Sequence, residues 1–202
     1  RNAKRDALQA LIRQARADVV LLQEIQDADA ARELLGPDYE VVSSAELSGL
    51  SRLAQNLAIG WRQRLAFEVD NPELVVPLSQ AGADGRRTRP GLAVTVTMPA
   101  GQKVAVLNLH LKAGCRMGRL DEGPSRDPAR ADRRDSDCGV FQRQVPPLEA
   151  WVDRKLDQGQ GVIVAGDFNR DLLHEIREKM PARNDGSNRA DPVSDPRRIA
   201  SL

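Results

Sequence analysis

The stretch VIVAGDFNRD, residues 162–171, is a run of apolar, β-forming residues that ends in Gly, Asp, an aromatic residue and Asn. This composition favours a buried strand. Side chains two positions apart on a strand point to the same face, so the pattern predicts that Asp167 and Asn169 face one site at the tip of the strand. The alternative is that both are turn residues, which end a strand by bonding to the local backbone.

The composition indicates an ordinary globular protein. The 202 residues are 41% hydrophobic and 29% charged, which fits a single domain over residues 1–202. The net charge of +1 creates no overall electrostatic attraction to nucleic acid or to a membrane surface. No apolar run in the sequence approaches the roughly 20 residues of a membrane span. Because the net charge is close to zero, an anionic substrate would have to be bound by local contacts.

Hydrophobic patterning predicts both helices and strands. Apolar residues have helical spacing over residues 6–16, and residues 19–22 form the apolar body of a buried strand that ends in Gln23 and Glu24. Further strands are predicted in YEVV, NLAIGWR, GLAVTVTM and KVAVLNLHL, the last two as an antiparallel hairpin, and further helices in AARELLG and in VPPLEAWVDRKLDQG, which starts near Pro146 and Pro147. Helices mixed with hairpin strands predict an α+β fold with mixed sheets.

Two cysteines, Cys115 and Cys138, flank a segment with six Arg and six Asp or Glu and almost nothing apolar. We expect residues 116–137 to form an exposed loop, because such a segment cannot bury itself. A disulfide at the base of this loop would stabilise the fold by roughly 3 kcal/mol and would indicate a secreted or periplasmic protein. The alternative is two free thiols in a cytoplasmic enzyme.

Polar side chains collect at the ends of three predicted strands. Glu24 ends one strand, His110 lies near the end of another, and Asp167 with Asn169 follows the strand quoted above. Singly, Glu24 could be an exposed strand end and His110 a hydrogen-bonded core histidine. Together they favour a functional site, because sites are commonly built on strand ends and loops of a rigid sheet.

The segments VVLLQE, AVLNLHLKAGC and VIVAGDFNRD, in this order and with RTRPGLAV before the second, resemble the endonuclease/exonuclease/phosphatase superfamily, whose fold is that of deoxyribonuclease I. The resemblance covers residues 7–171. It implies a four-layer α/β/β/α sandwich with two mixed sheets face to face and helices outside. It also implies a metal-dependent phosphodiester hydrolase, most simply a nuclease that cleaves DNA or RNA with an activated water.

The resemblance also implies ligands for a metal ion and for phosphate. Glu24 would bind the cation, Mg²⁺ in the first instance and Mn²⁺ or Ca²⁺ otherwise. Arg89 would pair with phosphate oxygens, for which a guanidinium offers a bidentate fork. Gln55 is grouped with Arg89 as a phosphate-binding candidate. It lies about where some members carry a Glu that supports the histidine, so that charge is absent here.

Three residues are implied as catalytic. His110 would contact the scissile phosphate and take part in proton transfer, because imidazole titrates near neutrality. Asp167 would orient or deprotonate the attacking water, and Asn169 would hold the phosphate or the metal's ligand shell. Two alternatives remain open: a phosphatase or a phospholipid or sphingomyelin phosphodiesterase of the same fold, and a non-catalytic binding or scaffold protein.

The sequence also departs from the family pattern. The family's Asn-containing first strand and its closing Ser-Asp-His element are not found here. We therefore expect the chain to be a piece of a longer protein, with residues 180–202 as a weakly structured tail; the alternative is a degenerate member of the family. The expected partner is nucleic acid or another phosphodiester, and the oligomeric state stays open.

Overall fold

The structure is a computed structural model that describes residues 2–48, 55–63, 66–82, 85–116 and 128–171. The elements in chain order are α1 (Asn2–Ala15), β1 (Val19–Ile25), α2 (Ala28–Leu35), β2 (Tyr39–Ser43), α3 (Ser44–Ser48), β3 (Asn56–Arg62), β4 (Glu68–Val75), a 3₁₀ turn (Val76–Leu78), β5 (Gly91–Thr97), β6 (Lys103–His110), α4 (Pro128–Asp157) and β7 (Gly161–Asp167). The strands and helices predicted up to His110, and the strand at residues 161–167, lie where the apolar patterns placed them.

Two sheets pack face to face between helices. The first has the order β1-β3-β2 and is antiparallel throughout its described strands. The second has the order β4-β5-β6-β7 and is mixed, because β6 and β7 run parallel. Helices α1 and α2 cover the first sheet, and α4 covers the second. The predicted α+β fold and four-layer sandwich are therefore confirmed.

Strand β6 shows how the apolar alternation produces these layers. Leu107 and Leu109 belong to the core cluster that includes Trp151 of α4, whereas Val106 belongs to the core between the two sheets. Successive side chains of a strand alternate between faces, so Asn108 and His110 continue the face of Val106. His110 therefore lies at the end of β6 on the face that looks towards the first sheet.

Gly166 allows the ends of β6 and β7 to approach closely. Its φ is +132°, and a Cβ at this position would lie 2.1 Å from the carbonyl oxygen of Leu109. Only glycine fits both the backbone conformation and the space. The glycine of the GDFN segment thus keeps the pairing of β7 with β6 intact up to Asp167.

Helix α4 differs from the sequence-based expectation. It begins at Pro128 and passes through Pro146 and Pro147, which we had placed near its start. Proline normally breaks a helix, but here Phe141 and Trp151, on either side of the prolines, are both buried against the second sheet. We infer that this packing outweighs the local cost of the two prolines.

The loop expected over residues 116–137 was consequently wrong from Pro128 onwards, where the chain is helical. Residues 117–127 of that loop and the tail at 180–202 lie outside the described residues. At 30 residues α4 is the longest described helix. Neither it nor any other described helix is long and apolar enough to cross a membrane.

The predicted disulfide joins Cys115, which follows β6, to Cys138 on α4, with a Cα–Cα distance of 4.9 Å. It closes a loop with a sequence separation of 23. We expect the Cys115→Ser/Cys138→Ser variant to lose about 3 kcal/mol of unfolding free energy, because the unfolded chain regains the entropy of the open loop. Urea denaturation measures this loss. Wild-type protein in reducing buffer should match the variant, and equal midpoints for oxidised wild type and variant would contradict the prediction.

Candidate active site

The parallel register of β6 and β7 brings two predicted site residues together. His110 is the register partner of Asp167 at the ends of these strands. His110 Nε2 lies 3.8 Å from Asp167 Oδ2, which is an electrostatic contact and not a hydrogen bond. The histidine side chain is only 7% exposed, whereas the carboxylate is 51% exposed. The pair thus combines a buried imidazole with a carboxylate open to solvent.

Asn169 does not continue the strand. Strand β7 ends at Asp167, and Asn169 has a left-handed φ of +52°. Its backbone N–H donates to Asp167 Oδ1 at 2.8 Å, which is an Asx turn. The prediction that strand pleating aims Asp167 and Asn169 at one face was therefore wrong, because the pleat ends before Asn169. The backbone instead forms a turn in which Asp167 bonds to the local backbone, as in the alternative given above.

The side chain of Asn169 nevertheless ties the two strand ends together. Its Nδ2 donates to the carbonyl oxygen of Leu111 at 2.9 Å, and the Leu111 N–H donates to the carbonyl oxygen of Asp167 at 2.9 Å. Each bond links the segment just after β6 to the segment at the end of β7. An amide has a second N–H and an acceptor oxygen beyond this contact. Asn169 therefore stays beside the His110–Asp167 pair.

Glu24 reaches the site through a bulge in β1. Leu22 pairs with Ala58 and Ile25 with Asn56, so β1 carries one extra residue between them. Glu24 lies in this bulge with a φ of +57° and an exposed side chain. Bulges often re-aim a side chain next to an active site.

Arg89 is held just before β5. Its Nε donates to the backbone carbonyl oxygen of Gln55 at 2.8 Å. Burial lowers the pKa of Arg89, and the negative charge of Glu24 opposes that shift. Because Nε is bound to Gln55, an anion would bind to the Nη groups of Arg89. Gln55 thus contributes a backbone contact that orients Arg89.

The electrostatics of His110 place four predicted residues in one neighbourhood. Burial lowers the pKa of His110, and the positive charge of Arg89 lowers it further. Asp167 and Glu24 raise it by a smaller amount, so the net shift is downward. The imidazole is therefore neutral at pH 7. Its Nδ1 is buried and has no hydrogen-bond partner among the described residues.

Asn108 is a site-supporting residue that sequence reasoning missed. It is fully buried, and its Nδ2 donates to the carbonyl oxygens of Leu22 and Ala58, both at 2.9 Å. Its Oδ1 accepts from Gln23 Nε2 at 2.6 Å. One amide thus joins β6 to β1 and β3 beside Glu24 and His110. The available signal was a lone Asn inside the apolar alternation VAVLNLHL.

A surface cavity of about 650 Å³ opens beside Asp167. Its walls are formed by Arg116 and by residues 166–171. Arg170 is held in this wall, because it donates to the carbonyl oxygen of Cys115 at 3.0 Å and lies 5.5 Å from the ring centroid of Phe141. The volume is within the range of small-molecule sites.

The described residues contain no group of three or more His, Cys, Asp or Glu side chains arranged to hold a metal ion. Glu24 by itself offers an exposed carboxylate, which is a hard oxygen ligand. Mg²⁺ commonly binds through one or two carboxylates and keeps several waters or substrate phosphate oxygens. The donor set near His110 therefore fits a Mg²⁺ ion that is held largely by water and substrate.

Comparison with known proteins identifies the family. The sequence profile of the endonuclease/exonuclease/phosphatase family matches residues 1–196. The chain belongs to this family. Its name comes from endonucleases, exonucleases and phosphatases, which all hydrolyse phosphate esters. A search of curated protein sequences found no match.

Solved structures similar to this family member share its fold. The human Nocturnin catalytic domain with bound sulfate has a TM-score of 0.53 at 18% identity over 88% of the chain, and ANGEL2, a 2′,3′-cyclic phosphatase, has 0.53 at 17% over 84%. Humanized D. rerio TDP2 has 0.52 at 19% over 87%. The chain spans 62%, 45% and 62% of these three structures, which is less than two thirds of each.

Proposed function

We propose that the protein is a Mg²⁺-dependent phosphodiesterase that cleaves nucleic acid with an activated water. The observation that carries this proposal is the register pairing of His110 with Asp167 beside the charges of Glu24 and Arg89. These residues bring a proton acceptor, a neutral imidazole and a guanidinium to one place. Groups of these kinds promote the hydrolysis of a phosphate diester.

Each residue has a distinct role in the proposed reaction. The exposed carboxylate of Asp167 orients the attacking water and accepts its proton while the water oxygen bonds to phosphorus. Neutral His110 donates a hydrogen bond from Nε2 to one phosphate oxygen, and the Arg89 guanidinium binds a second phosphate oxygen. The bond from phosphorus to the leaving oxygen then breaks, and the leaving oxygen takes up a proton from solvent. Mg²⁺ bound at Glu24 would supply positive charge that stabilises the phosphate oxygens.

A second candidate keeps the site and changes the substrate to a phosphate monoester or a phospholipid or sphingomyelin head group. The net charge of +1 favours this candidate, because nonspecific nucleic-acid binding depends on many Lys and Arg contacts to phosphates. Both candidates share the same proposed chemistry at phosphorus. They differ in what surrounds the phosphate.

A panel of substrates tests these proposals. Plasmid DNA, RNA, sphingomyelin vesicles and a phosphate monoester are incubated with the protein in Mg²⁺ and, separately, in EDTA. We expect Mg²⁺-dependent cleavage of nucleic acid, abolished by EDTA and by Asp167→Ala. Activity on sphingomyelin or the monoester alone would support the second candidate. No activity on any substrate would contradict both and would favour a binding or scaffold protein.

The binding of phosphate by Arg89 can be tested separately. We expect Arg89→Lys to lower kcat/KM by roughly 10- to 100-fold, chiefly by raising KM, because Lys keeps the charge but loses a charge-assisted hydrogen bond worth about 1.5–3 kcal/mol. Arg87→Lys is the matched control. Arg87 lies two residues away, and its guanidinium is bound to Ser79. Equal KM values for both variants would contradict the assignment.

We further propose that the protein is secreted or periplasmic. The disulfide supports this, because disulfides persist in oxidising compartments. Non-reducing mass spectrometry of protein from its native source should find no free thiol. Two free thiols would contradict the proposal and favour the cytoplasm.

A further inference from the structure

Gln144 is a buried amide on α4 that contacts three separate segments. Its side chain is fully buried. Its Nε2 donates to the carbonyl oxygen of Leu78 at 2.8 Å and lies 3.1 Å from Thr88 Oγ1. Its Oε1 accepts from the backbone N–H of Lys112 at 2.9 Å. Burying an amide without hydrogen-bond partners costs free energy, and both polar atoms of the Gln144 amide have partners.

Two of these contacts lie next to proposed active-site residues. Thr88 immediately precedes Arg89, and Lys112 is two residues after His110. Thr88 is itself fixed to the 3₁₀ turn, because its Oγ1 donates to the Leu78 carbonyl oxygen at 3.0 Å. Gln144 therefore bonds the segment that presents Arg89 to the segment that follows His110.

Gln144 does not line the site itself. Helix α4 packs on the outer face of the second sheet, whereas His110 lies on the inner face, towards the first sheet. Any effect of Gln144 on catalysis must therefore act through the segments that it holds. We propose that Gln144 is a positioning residue, which sets the spacing between Arg89 and His110 from the far side of the sheet. This inference rests on the proposed function for the roles of Arg89 and His110.

Other contacts join α4 to the segment after β6, and they should persist when the Gln144 amide is removed. Lys112 Nζ forms an ion pair with Asp137 at 2.7 Å, and Cys115 is joined to Cys138 on the same helix. The Gln144→Met variant keeps the length of the side chain and removes its hydrogen bonds. We expect it to fold and to lose about 10- to 100-fold in kcat, because small misplacements of catalytic groups have effects of this size.

Trp151→Phe provides the matched control. Trp151 is also buried on α4, and its Nε1 donates at 2.9 Å to Oε1 of Glu73 on β4, which is not a segment that carries Arg89 or His110. Both variants remove hydrogen bonds made by a buried side chain of α4, so both should lower the thermal midpoint. Only Gln144→Met should lower kcat. A Gln144→Met enzyme with the kcat of Trp151→Phe would overturn the proposal.

Two measurements without turnover separate this inference from the proposed function. In Gln144→Met the Lys112 amide should exchange with solvent faster, while the Leu111 amide, which is bonded to Asp167, keeps its protection. The titration midpoint of His110, followed by NMR, should move towards its unfolded value as the segment loosens. Trp151→Phe should change neither. Unchanged exchange and midpoint in Gln144→Met would overturn the positioning role even if the wild-type protein hydrolysed none of the substrates.

Discussion

Replacing Asp167 by Asn is expected to lower kcat for phosphodiester hydrolysis by roughly 10²-fold or more, because the site loses its positioned proton acceptor. The substitution is nearly isosteric. Asn retains an oxygen at the position of Oδ1, which accepts the backbone N–H of Asn169 at 2.8 Å in the wild type. The turn after β7 should therefore persist while the negative charge is lost. Steady-state kinetics at saturating substrate, with circular dichroism to verify the fold, measures the effect.

Asp157→Asn is the control for this substitution. Asp157 is an exposed carboxylate at the end of α4, on the segment that leads into β7. Its variant should keep wild-type kcat. Wild-type kcat in Asp167→Asn as well would show that Asp167 is only a turn residue. Asp167→Ala removes the turn acceptor too, so it should be both slower and less stable than Asp167→Asn.

Replacing His110 by Gln is expected to cost roughly 10²-fold in kcat and to change the pH dependence. Burial and Arg89 lower the pKa of His110 below 6.5, so the neutral form predominates at pH 7. Wild-type activity should fall as the pH drops through this lowered value, because the charged ring pairs with the Asp167 carboxylate, 3.8 Å away, and competes with the attacking water for it. Gln places an amide near the position of Nε2 but does not titrate in this range. The acid limb due to His110 should therefore be absent from the variant.

The same shift predicts a change in stability. The unfolded chain binds a proton at His110 near pH 6.5, whereas the folded protein binds it only at lower pH. The contribution of neutral His110 is therefore fully present above pH 6.5 and is lost as the pH falls through the folded-state value. Urea denaturation between pH 7 and pH 5 should show a steeper loss for wild type than for His110→Gln. Parallel curves, together with an unchanged acid limb in the rate profile, would contradict this account of His110.

The apolar patterns predicted the two strands that carry the proposed catalytic pair, and the family resemblance implied the layers. His110 and Asp167 lie 57 positions apart, yet both close apolar runs, and the ends of parallel strands meet at one edge of a sheet. Strand geometry does not apply to Asn169, because the strand ends at Asp167 and Asn169 lies in a left-handed turn. Helix α4 begins earlier than the local proline signals predict, because burial of Phe141 and Trp151 depends on tertiary packing that those signals do not contain.

The partners of the supporting amides could not be predicted from sequence. Asn108 and Gln144 each connect segments that are far apart in the chain, and each stands in a stretch whose local pattern reads as an ordinary strand or helix. Their importance follows from burial and from partners that only tertiary structure brings together. The bulge that carries Glu24 could not be predicted from sequence either. The extra residue in β1 can be recognised only when β1 is aligned with its partner strand β3.

A double-mutant cycle tests most directly whether His110 and Asp167 act as one unit on the same phosphate. Phosphodiester hydrolysis is measured for wild type, Asp167→Asn, His110→Gln and the double variant. Residues that act together are strongly non-additive, so we predict a double variant about as slow as the slower single variant. A double variant whose loss equals the product of the two single losses, roughly 10⁴-fold, would show independent action and would contradict the account.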